Sequence, residues 1–129
     1  MKKNALILIV EDDDFLRTLE YNKLVATGFQ VDIAADGQAG FDKIIENDYD
    51  LVLLDLLLPT IDGFQVLKKL HDEKKIQKQR IIVFSNLGAE SDIKQVVEFG
   101  INHYMIKSSF TLDELVVKIN EILAEPAGK

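Results

Sequence analysis

The sequence predicts an α/β domain in which five parallel strands form a sheet of order 2-1-3-4-5, with five helices on its two faces. Strand-length runs alternate with segments of helical spacing, a pattern typical of a parallel sheet with helical crossovers. Three of the five runs are apolar throughout, as in strands covered on both faces, and the other two are mixed, as in edge strands. Short right-handed crossovers then favour this strand order.

Local residue patterns predict each element. Continuous apolar runs predict strands one, three and four, and mixed runs predict strands two and five. In chain order the predicted strands are residues 5–10, 30–34, 51–55, 80–85 and 103–106. The predicted helices are residues 15–27, 38–46, a segment that follows the turn at Asp62-Gly63, 90–99 and 112–123.

Capping residues and apolar spacing predict the helix ends and their buried faces. Thr111 and Glu114 fit a capping box at the start of helix five. Gly28 and Gly100 follow helices one and four, where glycine is the favoured residue. The apolar residues with helical spacing, which predict the buried faces, are Phe15, Leu16, Leu19, Ile44, Ile45, Phe64, Leu67, Leu70, Ile93, Val96, Val97, Leu112, Leu115, Val116, Ile119, Ile122 and Leu123.

Length and composition indicate one globular domain over residues 1–129, with a disordered tail from about residue 125. The chain has no cysteine, which excludes disulfides, thiolate nucleophiles and cysteine-ligated metals. Its net charge of −7 argues against nucleic-acid binding, and the basic stretch at 68–80 is interpreted as a solvated helix end. No apolar run is long enough to cross a membrane, so we expect a cytoplasmic protein without membrane contact.

Polar side chains stand at the predicted carboxyl ends of four strands. Strand one is followed by Glu11-Asp12, strand three ends in Asp55, strand four ends in Ser85 and strand five is followed by Lys107. Because the carboxyl ends of parallel strands meet at one edge, where such sheets bind ligands, we expect these groups to converge.

The chemistry of this group of residues indicates phosphoryl transfer. Asp55 interrupts an aliphatic run that ends at Pro59, and a carboxylate there needs cations or donors nearby. Three clustered carboxylates without histidine or cysteine suit a hard cation such as Mg²⁺. An aspartate beside Mg²⁺, an ammonium and a hydroxyl is equipped to accept a phosphoryl group as a nucleophile.

These motifs resemble the receiver domain of bacterial two-component response regulators, with the flavodoxin-like arrangement of the sheet. The resemblance covers residues 5 to about 123. We expect either a stand-alone receiver, similar to the chemotaxis response regulator, or a receiver excised from a longer regulator. The residues that carry it are Glu11, Asp12, Asp55, Pro59, Asp62, Gly63, Ser85, Tyr104 and Lys107.

The resemblance implies a phosphorylation-dependent switch rather than an enzyme, active as a monomer or weak dimer. Asp55 would receive the phosphoryl group from a sensor histidine kinase or a histidine phosphotransfer protein. Mg²⁺ would be bound by Asp12, Asp55 and the backbone carbonyl of Leu57, with Glu11 acting through water. Ser85 and Lys107 would contact the phosphoryl group. Ser85 and Tyr104 would form a switch pair that changes the face of helix four, strand five and helix five for a downstream partner.

Several residues also have simpler interpretations. Asp55 could only end its strand and cap the next turn, and Asp13 or Asp14 is expected to cap helix one. Ser85 could bond only to nearby backbone, and Tyr104 could be an ordinary edge-strand aromatic.

Three other functions fit the residues less well and are separated from the receiver by a phosphorylation test. The first is a degenerate receiver that only docks partners. The second is an aspartate-nucleophile phosphatase of the haloacid-dehalogenase type, which would need a second aspartate where Leu57 stands. The third is a nucleotide or flavin module, which would need a glycine-rich loop in place of the acidic residues at 11–14.

The sequence departs from the family in two places. Ser108 stands where the family usually has a proline after a cis bond, and we expect the Lys107–Ser108 bond to stay cis so that Lys107 can face Asp55. Leu57 and Leu87 stand where receivers often carry polar residues beside the path of the water that removes the phosphoryl group. We expect slow self-dephosphorylation as a result.

Overall fold

The computed structural model describes residues 4–125 and contains the predicted sheet. All neighbouring strands are parallel, in the order β2-β1-β3-β4-β5. The strands are β1 (Leu6–Val10), β2 (Gln30–Ala34), β3 (Leu51–Leu54), β4 (Ile81–Ser85) and β5 (His103–Ile106). The α-helices are α1 (Asp14–Thr27), α2 (Gly37–Glu46), α3 (Gly63–Asp72), α4 (Glu90–Glu98) and α5 (Leu112–Leu123), with 3₁₀ turns at Ile76–Lys78 and Lys107–Ser109. The tail predicted to be disordered falls largely on residues 126–129, outside the described range.

The core consists of one apolar layer on each face of the sheet. Side chains alternate across a strand, so Ile7 and Ile9 of β1 pack with α1 and α5, whereas Leu8 and Val10 pack with α2, α3 and α4. The strands β1, β3 and β4 are buried almost throughout, and β2 and β5 are partly exposed at the edges. The prediction of strand order from apolar composition is therefore confirmed.

Side-chain caps fix where four helices begin. The Asp13 carboxylate accepts the Leu16 N–H at the start of α1, as expected for one of the two candidate capping residues. Asp36 caps α2 through the Ala39 N–H. Reciprocal capping boxes begin α3, where Asp62 pairs with Gln65, and α5, where Thr111 pairs with Glu114 as predicted.

Four apolar residues predicted on buried helix faces are exposed instead. Phe15, Leu19, Ile45 and Val97 are 71%, 40%, 41% and 54% exposed. Adjacent residues in a helix are about 100° apart. In the pairs Ile44-Ile45 and Val96-Val97, only the first residue of each pair is therefore buried against the sheet. The predicted end of α4 also shifts by one residue, because Phe99 is the C-cap and Gly100 follows it in the left-handed region with φ +86.

Within residues 4–125, no helix is long and apolar enough to span a membrane.

Candidate functional site

The carboxyl edge of the sheet brings three carboxylates together. Glu11, Asp12 and Asp55 each offer an oxygen atom within 4.8 Å of the others. Backbone bonds continue the strand ladders to this edge, since the Glu11 N–H donates to Ala34 at 3.0 Å and the Asp55 N–H donates to Val10 at 3.1 Å. Glu11 and Asp55 are buried, and Asp12 is exposed. The predicted convergence of these carboxylates at one edge therefore agrees with their positions.

The Asp55 carboxylate is held by donors on both oxygens. Its Oδ1 accepts the N–H groups of Leu56 at 2.7 Å and Leu57 at 3.2 Å. Its Oδ2 accepts from the Lys107 ammonium at 2.8 Å. These donors offset the charge of a side chain that is only 6% exposed.

The Lys107 ammonium also pairs with Glu11, so one cation bridges two buried carboxylates. Burial alone would lower the pKa of Lys107, but hydrogen bonds and attraction from Asp55 and Glu11 raise that pKa above its ordinary value. Burial raises the pKa of Glu11, and its pairing with Lys107 opposes this rise only in part. Three acidic side chains thus share a single ammonium at this edge of the sheet.

A fourth carboxyl group, Glu20 of α1, lies beside this cluster and was missed by sequence reasoning. It is 3% exposed, and burial followed by repulsion from Glu11 raises its pKa to about 8. A signal for it exists in the sequence, because Glu20 lies midway between Leu16 and Leu24 at spacings of four. A carboxylate on an apolar face at this spacing indicates a buried acid.

Ser85 and Tyr104 both bond to the backbone of Leu87. The Ser85 hydroxyl, which is fully buried, accepts the Leu87 N–H at 3.4 Å. The Tyr104 hydroxyl donates to the Leu87 carbonyl. In this structure, then, Ser85 bonds to nearby backbone as its simpler interpretation expected, and Leu87 links it to Tyr104.

The expected cis bond after Lys107 is wrong. The Lys107–Ser108 peptide bond is trans, and Lys107 still reaches Asp55. A 3₁₀ turn begins at Lys107, and the Ser108 N–H donates to the Asn86 side chain at 3.1 Å. A proline at 108 would lack that N–H, and a non-proline cis bond costs about 3 kcal/mol, so serine favours the trans turn.

The arrangement fits a hard divalent cation. All the acidic ligand candidates supply oxygen, and a cation would offset the negative charge that Lys107 leaves. The fold and the site together therefore define a doubly wound α/β domain with an acidic site at the carboxyl ends of its strands.

The chain belongs to the receiver domain family of response regulators. The family model described as the response regulator receiver domain matches residues 7–120. The chain is 35% identical to the response regulator ArlR of Staphylococcus haemolyticus over 123 residues, which cover 95% of this chain and 54% of that protein. The chain thus spans about half the length of the curated relatives it matches.

Solved receiver structures share the fold. The receiver domain of the Francisella response regulator 1452 has a TM-score of 0.84 and 26% identity, covering 93% of this chain and 97% of that chain. The response regulator TrrA of Thermotoga maritima, solved in complex with Mg(2+)-BeF, has a TM-score of 0.77 and 29% identity, covering 92% and 98% of the two chains.

Proposed function

We propose that this domain is a phosphorylation-dependent switch in which Asp55 accepts a phosphoryl group from a phosphohistidine on a sensor kinase or phosphotransfer protein. One observation carries the proposal: the buried Asp55 carboxylate lies against Lys107 and within 4.8 Å of two further carboxylates. A purely structural buried aspartate would need a cation such as Lys107, but it would not need two further carboxylates beside it. This cluster also argues against a domain that only docks partners.

The metal that fits is Mg²⁺. Asp12, Asp55 and the Leu57 backbone carbonyl would bind it directly, and Glu11 would act through water. When bound, Mg²⁺ offsets charge on the transferring phosphoryl oxygens.

The protein groups supply the rest of the chemistry. A carboxylate oxygen of Asp55 attacks phosphorus as the P–N bond of the donor phosphohistidine breaks, and the donor imidazole keeps the bonding electron pair. Lys107 remains protonated and donates to the new phosphoryl oxygens, while the Ser85 hydroxyl contacts another of these oxygens. The domain is the acceptor in this reaction rather than an enzyme with a separate substrate.

The output of the switch depends on the link through Leu87. If Ser85 Oγ moves toward the phosphoryl group, its 3.4 Å contact with the Leu87 N–H breaks, and this frees the loop to which Tyr104 also bonds. The face formed by α4, β5 and α5 then changes for a downstream protein partner. We place this activity in the cytoplasm, in a monomer or weak dimer without nucleic-acid binding of its own.

The test is phosphorylation by a small phosphodonor with Mg²⁺, followed by intact mass. We expect one phosphoryl adduct in the wild type, none in Asp55→Asn, and an unchanged adduct in the control Asp48→Asn, which alters an exposed aspartate. An adduct that persists in Asp55→Asn would contradict the assignment. Absence of any adduct in the wild type would favour a docking module, and continuous hydrolysis of phosphomonoesters would favour a phosphatase.

A further inference from the structure

The loop between Asp55 and α3 is attached to the first turn of α2, an element that contributes no residue to the acidic site. The Gly37 N–H donates to the Pro59 carbonyl at 3.1 Å. The Gln38 N–H donates to the Thr60 hydroxyl at 3.0 Å, and this hydroxyl donates to Asp36 at 3.0 Å. Three hydrogen bonds therefore join two consecutive loop residues to the start of one helix.

Thr60 has a backbone conformation that its side chain disfavours. Its φ is +66, in the left-handed region, where a β-branched residue is uncommon and strained. Such a conformation persists only where surrounding contacts enforce it. Here the enforcing contacts are those of the Thr60 hydroxyl, which orient the loop relative to α2.

Gly37 allows the two segments to come this close. A Cβ atom at residue 37 would lie 1.8 Å from the Ile61 carbonyl oxygen, so any side chain would displace the loop or the helix. Glycine is therefore required by the close approach of two backbones rather than by its own φ angle.

We propose that Gly37 and Thr60 are positioning residues for the cation site, and we call their contacts with the loop the α2 clasp. The inference rests on the proposed Mg²⁺ site. One end of the loop is held at Asp55, whose Oδ1 accepts the Leu57 N–H. The other side is held at Pro59 and Thr60 by the clasp.

The Leu57 carbonyl lies between these two attachments. Mg²⁺ requires near-ideal octahedral geometry, so a small drift of this carbonyl weakens binding. The clasp therefore sets the position of a backbone ligand from a neighbouring helix.

The test measures Mg²⁺ affinity by calorimetry and amide hydrogen exchange in the metal-free protein. Thr60→Gly removes the hydroxyl without strain at positive φ, and we expect roughly tenfold weaker Mg²⁺ binding, the lower end of what outer contacts contribute to metal affinity. Exchange should accelerate at Leu57 as well as at Gly37 and Gln38. Thr60→Ser keeps the hydroxyl and should bind as the wild type does.

The matched control is Lys74→Gly. Lys74 also has a positive φ, +59, but lies in the loop after α3, at the opposite end of the sheet. This variant should bind Mg²⁺ with wild-type affinity. In a second variant, Gly37→Ala, the added methyl group clashes with the loop and pushes it away from α2. This variant should weaken Mg²⁺ binding at least as much as Thr60→Gly.

Two results would overturn the proposal in distinguishable ways. In the first, Thr60→Gly accelerates amide exchange at Gly37 and Gln38 but leaves both the exchange rate of Leu57 and the Mg²⁺ affinity unchanged. The clasp then has a structural role only. If the wild type itself does not bind Mg²⁺, the proposed metal site fails and the inference fails with it. Weaker binding with faster Leu57 exchange, rescued by Thr60→Ser, supports the proposal.

Discussion

The Lys107 ammonium lies 2.8 Å from Asp55 Oδ2 and also pairs with Glu11. These two carboxylates directly follow different strands, so one lysine joins the ends of β1 and β3 to the turn after β5. Removal of one partner from a buried pair leaves the other charge uncompensated, which costs more than the pair contributes. Lys107 should therefore stabilise the domain, in addition to its proposed contact with the phosphoryl group.

Lys107→Met should lower the free energy of unfolding by about 3 kcal/mol in metal-free buffer, the magnitude typical of a broken buried pair. Mg²⁺ should restore part of this loss, since it offsets the same carboxylates. Urea denaturation with chelator and with Mg²⁺ measures both effects. The control Lys23→Met breaks an exposed pair with Asp113 and should cost less than about 1 kcal/mol. Equal stability of Lys107→Met and wild type would mean that the pairing contributes nothing.

Two adjacent aspartates should respond in opposite ways to alanine. Asp12 belongs to the carboxylate cluster and is exposed, so Asp12→Ala should abolish Mg²⁺ binding while metal-free stability holds or rises as repulsion falls. Asp13 instead caps α1, so Asp13→Ala should lose about 1 kcal/mol and keep Mg²⁺ affinity. Calorimetric titration and thermal melts of the two variants decide this. Unchanged Mg²⁺ affinity in Asp12→Ala would remove Asp12 from the proposed ligand set.

The strand order of the sheet could be predicted because the amino-acid composition of each strand indicates whether one or both of its faces are buried. The strands β1, β3 and β4 carry apolar residues at successive positions, which only a strand covered on both faces needs. Convergence of Asp55 and Lys107 followed from the strand order alone, because the carboxyl ends of parallel strands share one edge.

What the sequence left undetermined depends on packing between elements. Ile45 and Val97 are as apolar as their buried neighbours Ile44 and Val96. Only the rotation of each helix about its axis decides which residue of each pair faces the sheet. The left-handed backbone of Thr60 depends on contacts with α2, a distant segment of the chain. Lys107 reaches Asp55 through a trans bond, the ordinary state before serine, in a turn where the Ser108 N–H donates to the Asn86 side chain of another loop.

Glu20 should make metal-free stability fall as pH rises. Its folded-state pKa of about 8 lies above its ordinary value of 4.5, so the native state binds this proton more tightly than the unfolded chain does. The resulting stability is fully present below about pH 4.5 and is lost as pH rises through about 8, with a slope of at most about 1.4 kcal/mol per pH unit. Urea denaturation between these two pH values measures the slope.

Glu20→Gln keeps the shape of this side chain and removes its titration. The variant should flatten the pH dependence and exceed wild-type stability at pH 8. The matched control Glu73→Gln neutralises an exposed glutamate and should keep the wild-type slope. A wild-type slope in Glu20→Gln would show that another group carries the pH dependence.

The lifetime of the phosphorylated state should depend on two leucines beside the site. Phosphoryl-aspartate is lost when water attacks in line with the leaving carboxylate, and Leu57 and Leu87 offer that water no side-chain hydrogen bond. Leu57 is 53% exposed on the loop after Asp55, and Leu87 is half-buried beside Ser85. Correct placement of a water can change a rate by about a hundredfold. We therefore expect slow self-dephosphorylation and a long-lived phosphorylated state, which is ended mainly by back-transfer or a separate phosphatase.

The measurement is phosphoryl loss under saturating Mg²⁺ in the wild type, Leu57→Asn and Leu87→Glu. Each polar side chain can orient the water, so each substitution should accelerate the loss. Leu87→Glu also adds negative charge near the phosphoryl group, so Leu87→Gln is its matched neutral variant and should accelerate the loss without that repulsion. Val117→Asn on the exposed face of α5 controls for a general effect of surface polarity and should leave the rate unchanged. If none of the substitutions at 57 and 87 accelerates the loss, or if the wild type loses its phosphoryl group within seconds, the leucines do not keep water from the bond.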